Sequence, residues 1–312
     1  MHKDLSKSQD TQHFKHKGIL LLFSFFLQSI CYADINCEEE KMKGVTGPAP
    51  PSIGNFALPS PQRPGGLLSF GQHILNKGQT QLGFFFDYFA GDNKHLTEVI
   101  PSLLHGITDD FSINFAIPFT PSNRAHGHTS SGVEDVELQF EYSPYHNSTT
   151  CYEEGATVVA NVTFPTGSTK RNPPTGLGSS SFFLGATYSR MYTDWFGFLS
   201  DGILFPTPHH GTKAGNAFLY QAGLGRNILS IKSDLTLAWL AEINGLYLQK
   251  SKIKSKTDPN SGRNIVYITP SLQLCTEKLL LQLGFGFPII QHLFGHQNKN
   301  NYLVTSNFVW TF

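Results

Sequence analysis

The stretch Asn301-Tyr302-Leu303-Val304-Thr305-Ser306-Asn307-Phe308-Val309-Trp310-Thr311-Phe312 decides the fold class. Successive side chains of an extended strand point to opposite faces. Val304, Phe308, Trp310 and Phe312 therefore share one face, with Ser306 as its small member. A final strand of this kind suits the wall of a membrane β-barrel, where outward positions meet lipid and aromatic residues gather at the interface. The last strand must then pair with the first, because unpaired backbone in lipid costs on the order of several kcal/mol per group. A soluble sandwich gives no reason for a strand to stop abruptly on an aromatic.

Upstream, the same period of two recurs. Phe111, Ile113, Phe115 and Ile117 alternate with Ser112, Asn114 and Ala116. Val136, Leu138, Phe140 and Tyr142 alternate with Glu137, Gln139 and Glu141. Similar runs cover 156–164, 235–244 and 279–287. A soluble antiparallel sheet alternates in the same way, so connection lengths have to discriminate. Tight links at Thr108-Asp109-Asp110, Thr193-Asp194 and Thr276-Glu277-Lys278 are interleaved with long polar stretches near 119–131, 165–178, 206–215, 250–263 and 291–300. Short turns on one side and long loops on the other are the habit of outer-membrane barrels. The reading is an all-β, transmembrane, antiparallel up-and-down barrel of about twelve strands over residues 79–312, with both ends in the periplasm. The link near 143–154 is longer, and the loop near 91–95 shorter, than this scheme prefers.

Composition agrees. Only 15% of the 312 residues are charged, against about a quarter in soluble domains, while Phe numbers 26 and Gly 29. Mean hydropathy is −0.18, too polar for a bundle of membrane helices. Balanced charge, 23 basic against 23 acidic residues, argues against a nucleic-acid partner. Lys15 and Lys17 precede the apolar run 18–30, and Cys31-Tyr32-Ala33 follows. That pattern predicts a secretory signal peptide over 1–33, cleaved after Ala33, and export to the bacterial outer membrane. Residues 34–78, rich in Pro and Gly, read as a periplasmic linker or short plug. Of the cysteines left after cleavage, Cys37 and Cys151 are the pair to test for a disulfide, beside Cys275; three separate thiols remain the alternative.

Several segments resemble an outer-membrane family described as "MetA-pathway of phenol degradation", over roughly residues 70–312. Leu104-His105-Gly106-Ile107-Thr108-Asp109 resembles its Gly-hydrophobic-Thr-Asp turn, and Gly132-Val133-Glu134-Asp135-Val136 its Gly-x-x-Asp strand start. Phe164-Pro165-Thr166-Gly167 resembles its Pro-Thr-Gly loop entry, and Glu242-Ile243-Asn244-Gly245-Leu246-Tyr247 its Glu-x-Asn-Gly-x-Tyr strand. Ile268-Thr269-Pro270-Ser271-Leu272-Gln273 and Phe287-Pro288-Ile289-Ile290-Gln291 are similar to two later motifs in the same order. The resemblance implies a barrel of about a dozen strands and passage of small hydrophobic or aromatic compounds.

Strand parity places Asp87, Glu137, Glu141, Glu242 and Asn244 on the face away from lipid, along with Asp135 and Gln139. Charges avoid the hydrocarbon, so these residues are the candidate lumen or substrate path. Two arrangements follow: an open acidic path, or a narrow lumen filled by side chains with the carboxylates paired to Arg or Lys. The second makes the chain a closed structural or surface-interaction barrel. No cofactor is indicated. His126 with His128, His209 with His210, and His292 with His296 fall in predicted outer loops and are weak metal candidates, without Cys or carboxylates at ligand spacing. An outer-membrane lipase would need Ser and His held on neighbouring strands. The run His126-Gly127-His128-Thr129-Ser130-Ser131-Gly132 has the residue types but sits in a Gly-rich loop, so the chain reads as no enzyme. The expected partners are outer-membrane lipid, small hydrophobic solutes, and the barrel-assembly machinery through the strand ending at Phe312.

Overall fold

The computed structural model describes residues 49–71, 74–231 and 234–312. The expected signal peptide and Cys37 lie outside the described residues. Two single-turn 3-10 helices, Gly54–Phe56 and Ser60–Gln62, come first. The strands follow as β1 (Thr80–Gly91), β2 (Lys94–Thr108), β3 (Phe111–Ala116), β4 (Phe119–Ala125), β5 (His128–Val133), β6 (Val136–Ser148), β7 (Tyr152–Phe164), β8 (Ser181–Tyr192), β9 (Trp195–Pro206), β10 (Thr212–Lys213), β11 (Ala217–Ile231), β12 (Leu235–Leu248), β13 (Lys252–Ile253), β14 (Lys256–Thr257), β15 (Arg263–Thr276), β16 (Leu279–Leu293) and β17 (Asn300–Thr311). Twelve of them close an antiparallel barrel in the order β1, β17, β16, β15, β12, β11, β9, β8, β7, β6, β3, β2, with β2 returning to β1. The closing pair runs from Gln81 opposite Thr311 to Gly91 opposite Asn300.

Closure leaves no free edge in the wall, as a membrane barrel requires. The alternation read from sequence sorts the faces. Leu184, Leu272, Leu283, Phe115, Phe308 and Trp310 are exposed on the outside. Ser112, Thr236, Glu242, Thr269 and Gln273 point inward and are fully buried. So much exposed aliphatic and aromatic surface, with polar side chains buried opposite it, inverts the order of a soluble protein and marks a lipid-facing wall. Most wall strands have 12–15 residues, more than the ~9–11 needed to cross.

Local chemistry sets the tight end. Thr276 Oγ1 accepts the backbone N–H of Leu279 at 2.9 Å, and Thr149 Oγ1 accepts that of Tyr152 at 3.1 Å. A threonine hydroxyl that captures the following amides pins a short turn. This explains one departure from the sequence reading. The link near 143–154 shrinks to residues 149–151 because β6 and β7 run on past an irregularity between Tyr142 and Tyr145.

The stretch 119–131, expected as an open loop, is instead the hairpin β4–β5. His126 (φ 51°) and Gly127 (φ 81°) form its two-residue turn, the left-handed pair that hairpin twist favours. Above Ala116 the backbone of β2 would lose its partner, and β4 supplies one from Phe119 to Arg124. On the other side of β1 the β16–β17 ladder ends at Gly286 and Leu303. Pro288 cannot donate there. Beyond it, the side-chain amide of Gln291 acts as a strand partner, donating to Asn300 O at 2.7 Å and accepting from Asn300 N at 2.8 Å.

The barrel lumen as candidate functional site

Residues 54–71 occupy part of the barrel interior, bonded to inward side chains of the wall. The segment is Pro- and Gly-rich; its two single-turn helices satisfy a few of its backbone groups, and the irregular remainder takes partners from the wall. Inward amides provide them. Gln273 accepts from Gly65 N at 3.0 Å and donates to Gly65 O at 2.6 Å. Asn307 donates to Leu67 O at 2.9 Å, Gln221 to Leu68 O at 3.0 Å, and Gln81 to Pro61 O at 3.2 Å. The Thr187 hydroxyl donates to Phe70 O at 2.7 Å.

Glu242 completes the berth, accepting the backbone N–H of Leu67 at 2.9 Å and of Leu68 at 3.2 Å. Leu67 itself packs with Phe196, Phe198, Ala238 and Leu240 in an apolar cluster of the interior. It comes so close to β16 that a Cβ on Gly284 would sit 2.3 Å from it. At the tight-turn end the segment is fastened again. Gly54 adopts φ 57° directly against Thr193, Asn55 N donates to Thr193 O at 2.7 Å, and Arg63 pairs with Glu153 at 2.7 Å.

The five candidates Asp87, Glu137, Glu141, Glu242 and Asn244 divide into two groups. Glu242 and Asn244 belong to the segment's berth, Asn244 accepting from Gln221 at 3.1 Å. Asp87, Glu137 and Glu141 line a cavity of about 360 Å³ between the segment and the wall formed by β1, β2, β3, β6, β16 and β17. Glu137 accepts from Asn161 at 3.1 Å and Glu141 from Gln139 at 2.6 Å. Asp87 stands opposite Glu98 across β1 and β2. The Arg and Lys partners expected in a self-filled lumen are not what holds Glu137, Glu141 and Glu242: backbone N–H and amide donors do. Asp135 works at the rim, accepting from Gly167 N at 2.9 Å and Leu177 N at 2.8 Å, and so folds the loop after β7. Glu134, in the link between β5 and β6, is pushed up from the usual carboxylate value mainly by burial, with the donating Thr120 hydroxyl opposing that shift.

No family model matches the chain, and no curated protein matches it in sequence. Solved structures do. An outer membrane channel from Pseudomonas putida F1 superposes with a TM-score of 0.64 at 17% identity, covering 77% of this chain and 97% of its own. The beta domain of the Bordetella autotransporter Brka covers 76% of this chain and all of its own, with a TM-score of 0.46 at 8% identity. The NanC porin covers 73% of this chain and 98% of its own, with a TM-score of 0.43 at 11% identity.

The fold is that of an outer-membrane barrel.

Within this barrel the inward amides Gln81, Gln221, Gln273, Gln282 and Asn307 are the residues that sequence reasoning missed. Their signal was available: neutral amides recurring at inward positions of neighbouring strands, where a water-filled lumen has no special need of them. The histidine candidates do not assemble into a site. His209 and His210 stack edge-on at 4.0 Å, His126 is a turn residue, and among the described residues no group of three metal-binding side chains occurs. Ser130 Oγ donates to Pro173 O at 2.7 Å, tying β5 to the loop after β7. Cys275 is free and buried, and Cys151 is disulfide-bonded.

Proposed function

We propose that this protein is a channel of the bacterial outer membrane for small hydrophobic or aromatic compounds, with residues 54–71 as a plug in its lumen. The observation that carries the reading is the interior itself. It combines a polar wall, an irregular segment held by reversible hydrogen bonds, and a side cavity lined by both carboxylates and apolar groups such as Phe85, Ile100 and Leu104. The ordered resemblance to the phenol-degradation family supports the solute class, and the shared fold with an outer membrane channel supports the location. In this orientation the tight turns face the periplasm and the long loops face outward.

The dense bonding of the segment favours a second reading, a permanently closed barrel. Planar-bilayer recording of the full-length protein separates the two. The channel reading expects discrete conductance steps, larger when residues 54–71 are deleted. Absence of conductance in both forms, with no uptake of phenol into proteoliposomes, would overturn it in favour of the closed barrel.

A further inference from the structure

We propose that the mouth at the long-loop end holds a binding site for a small apolar carboxylate. The proposal names a ligand class for the channel described above and rests on that reading for the ligand's onward passage. The site is a cavity of about 330 Å³, separate from the one beside the plug, at the small end of the ~300–1,000 Å³ typical of ligand pockets. Three cations line it from three different elements: Lys94 on β2, Arg124 on β4 and Arg263 on β15. The single carboxylate on its lining is Glu98 of β2, which stands opposite Asp87 of β1.

Arg263 is the informative member. Its Nε is buried and has no hydrogen-bond partner among the described residues, whereas Arg63 pairs with Glu153 and Arg190 with Glu154. A buried guanidinium donor without an acceptor is costly, and its planar fork matches a carboxylate in two-point contact. Lys94 Nζ donates to Asn298 O at 2.7 Å, which leaves two of its three N–H groups for a ligand. The rest of the lining is polar at His95, Asn123 and Asn300 and otherwise apolar, with Phe89, Leu246, Ile265 and the Tyr267 ring among it. Cations facing a greasy wall select a molecule with one anionic end and an apolar body. A neutral solute leaves the cations unanswered, and inorganic phosphate leaves the wall unused. Asp87, Glu137 and Glu141 further in repel the charge and keep it at the mouth.

The test is equilibrium dialysis of radiolabelled benzoate against the folded full-length protein in detergent. Benzamide serves as the neutral competitor and inorganic phosphate as the apolar-free anion. Benzoate is expected to bind saturably, with each competitor at least about tenfold weaker. Arg263→Gln should weaken benzoate about tenfold or more, Arg263→Lys should recover part of that loss, and Arg226→Gln, at the other end of the barrel, should change nothing. Heat-modifiable gel migration checks folding, and Lys94→Gln provides a second reading if Arg263→Gln does not fold. Benzamide or phosphate competing as well as benzoate would overturn the proposal, as would unchanged affinity in the folded Arg263 and Lys94 variants. Because binding is measured without a bilayer, a protein that binds benzoate but never conducts would keep this site and lose the channel, and the reverse outcome would do the opposite.

Discussion

Glu242→Ala offers the sharpest test of how the lumen segment is held. Its carboxylate is fully buried and accepts two backbone N–H groups, at 2.9 Å from Leu67 and 3.2 Å from Leu68. Hydrogen bonds to a charged partner each contribute about 1.5–3 kcal/mol net. Removing both should weaken the local docking of residues 67–68 by about 3–6 kcal/mol, a factor above about a hundred in the opening equilibrium. The other contacts, from Gln273, Asn307, Gln221 and Thr187, remain, so the segment should open more often without leaving altogether. Hydrogen–deuterium exchange on the folded protein reads this directly. Peptides covering Leu67 and Leu68 should lose about two orders of magnitude of protection, while the β15–β16 turn at Glu277 and Lys278 stays unchanged. Glu242→Gln keeps an acceptor oxygen but not the charge and should lose less than half as much. Unchanged protection in Glu242→Ala would refute the idea that this carboxylate fastens the segment.

Other consequences are independent of the plug. Asp135→Ala removes acceptors from Gly167 and Leu177 and should loosen the loop after β7 by about 3 kcal/mol, seen as faster tryptic cleavage at Lys170 or Arg171. Gly223 lies under the Phe198 ring, where a Cβ would meet the ring at 2.2 Å; Gly223→Ala should destabilise the folded barrel by about 1–3 kcal/mol in urea titrations. Leu283, 60% exposed on the outer face, should cost about 2–4 kcal/mol as Leu283→Arg in vesicles, and no cost there would argue against a lipid-facing wall. In the native protein a maleimide should leave buried Cys275 unlabelled, and Cys151 should react only after reduction, with Cys37 the partner to look for by mass spectrometry.

The wall was legible because its rule is simple. Lipid on one side and a protein interior on the other impose a period of two, and Val136 to Tyr142 or Leu235 to Asn244 obey it residue by residue. Turn lengths then followed from Thr108 and Thr276. The hairpin β4–β5 was not legible, because Ser122, Asn123 and Arg124 carry no apolar alternation. They are strand only because β2 extends beyond β3 and needs a backbone partner, a demand that comes from another part of the chain. The same holds for the lumen. Parity could say that Glu242 points inward but not what it meets there.

What it meets follows from the mismatch between wall and interior. Small barrels fill their interiors with side chains, and a self-filled lumen would pair each inward carboxylate with a cation. Here the interior also receives the irregular backbone of residues 54–71, whose N–H and C=O groups are themselves donors and acceptors in need of partners. A carboxylate that meets two N–H groups has no need of an arginine. An amide such as Gln273 can donate and accept at once and grips both sides of a single peptide at Gly65. The wall is therefore adapted to a backbone more than to a charge, which explains why amides crowd the segment's berth while Asp87, Glu137 and Glu141 are left along the side cavity. It also predicts what sequence changes the berth tolerates. At positions 61–66 the bonds from Gln81, Gln273 and Gln282 run to main-chain atoms, so exchanging segment side chains such as Pro61 or Pro64 should matter less than exchanging wall amides. Gln273→Leu, nearly isosteric, would remove the acceptor of the Gly65 N–H and leave Gly65 O only its 3.3 Å bond from Gln282, and should raise exchange there by about tenfold or more, whereas Pro64→Ala should change it little. Equal effects from the two substitutions would mean that side-chain packing, not main-chain capture, holds the segment in place.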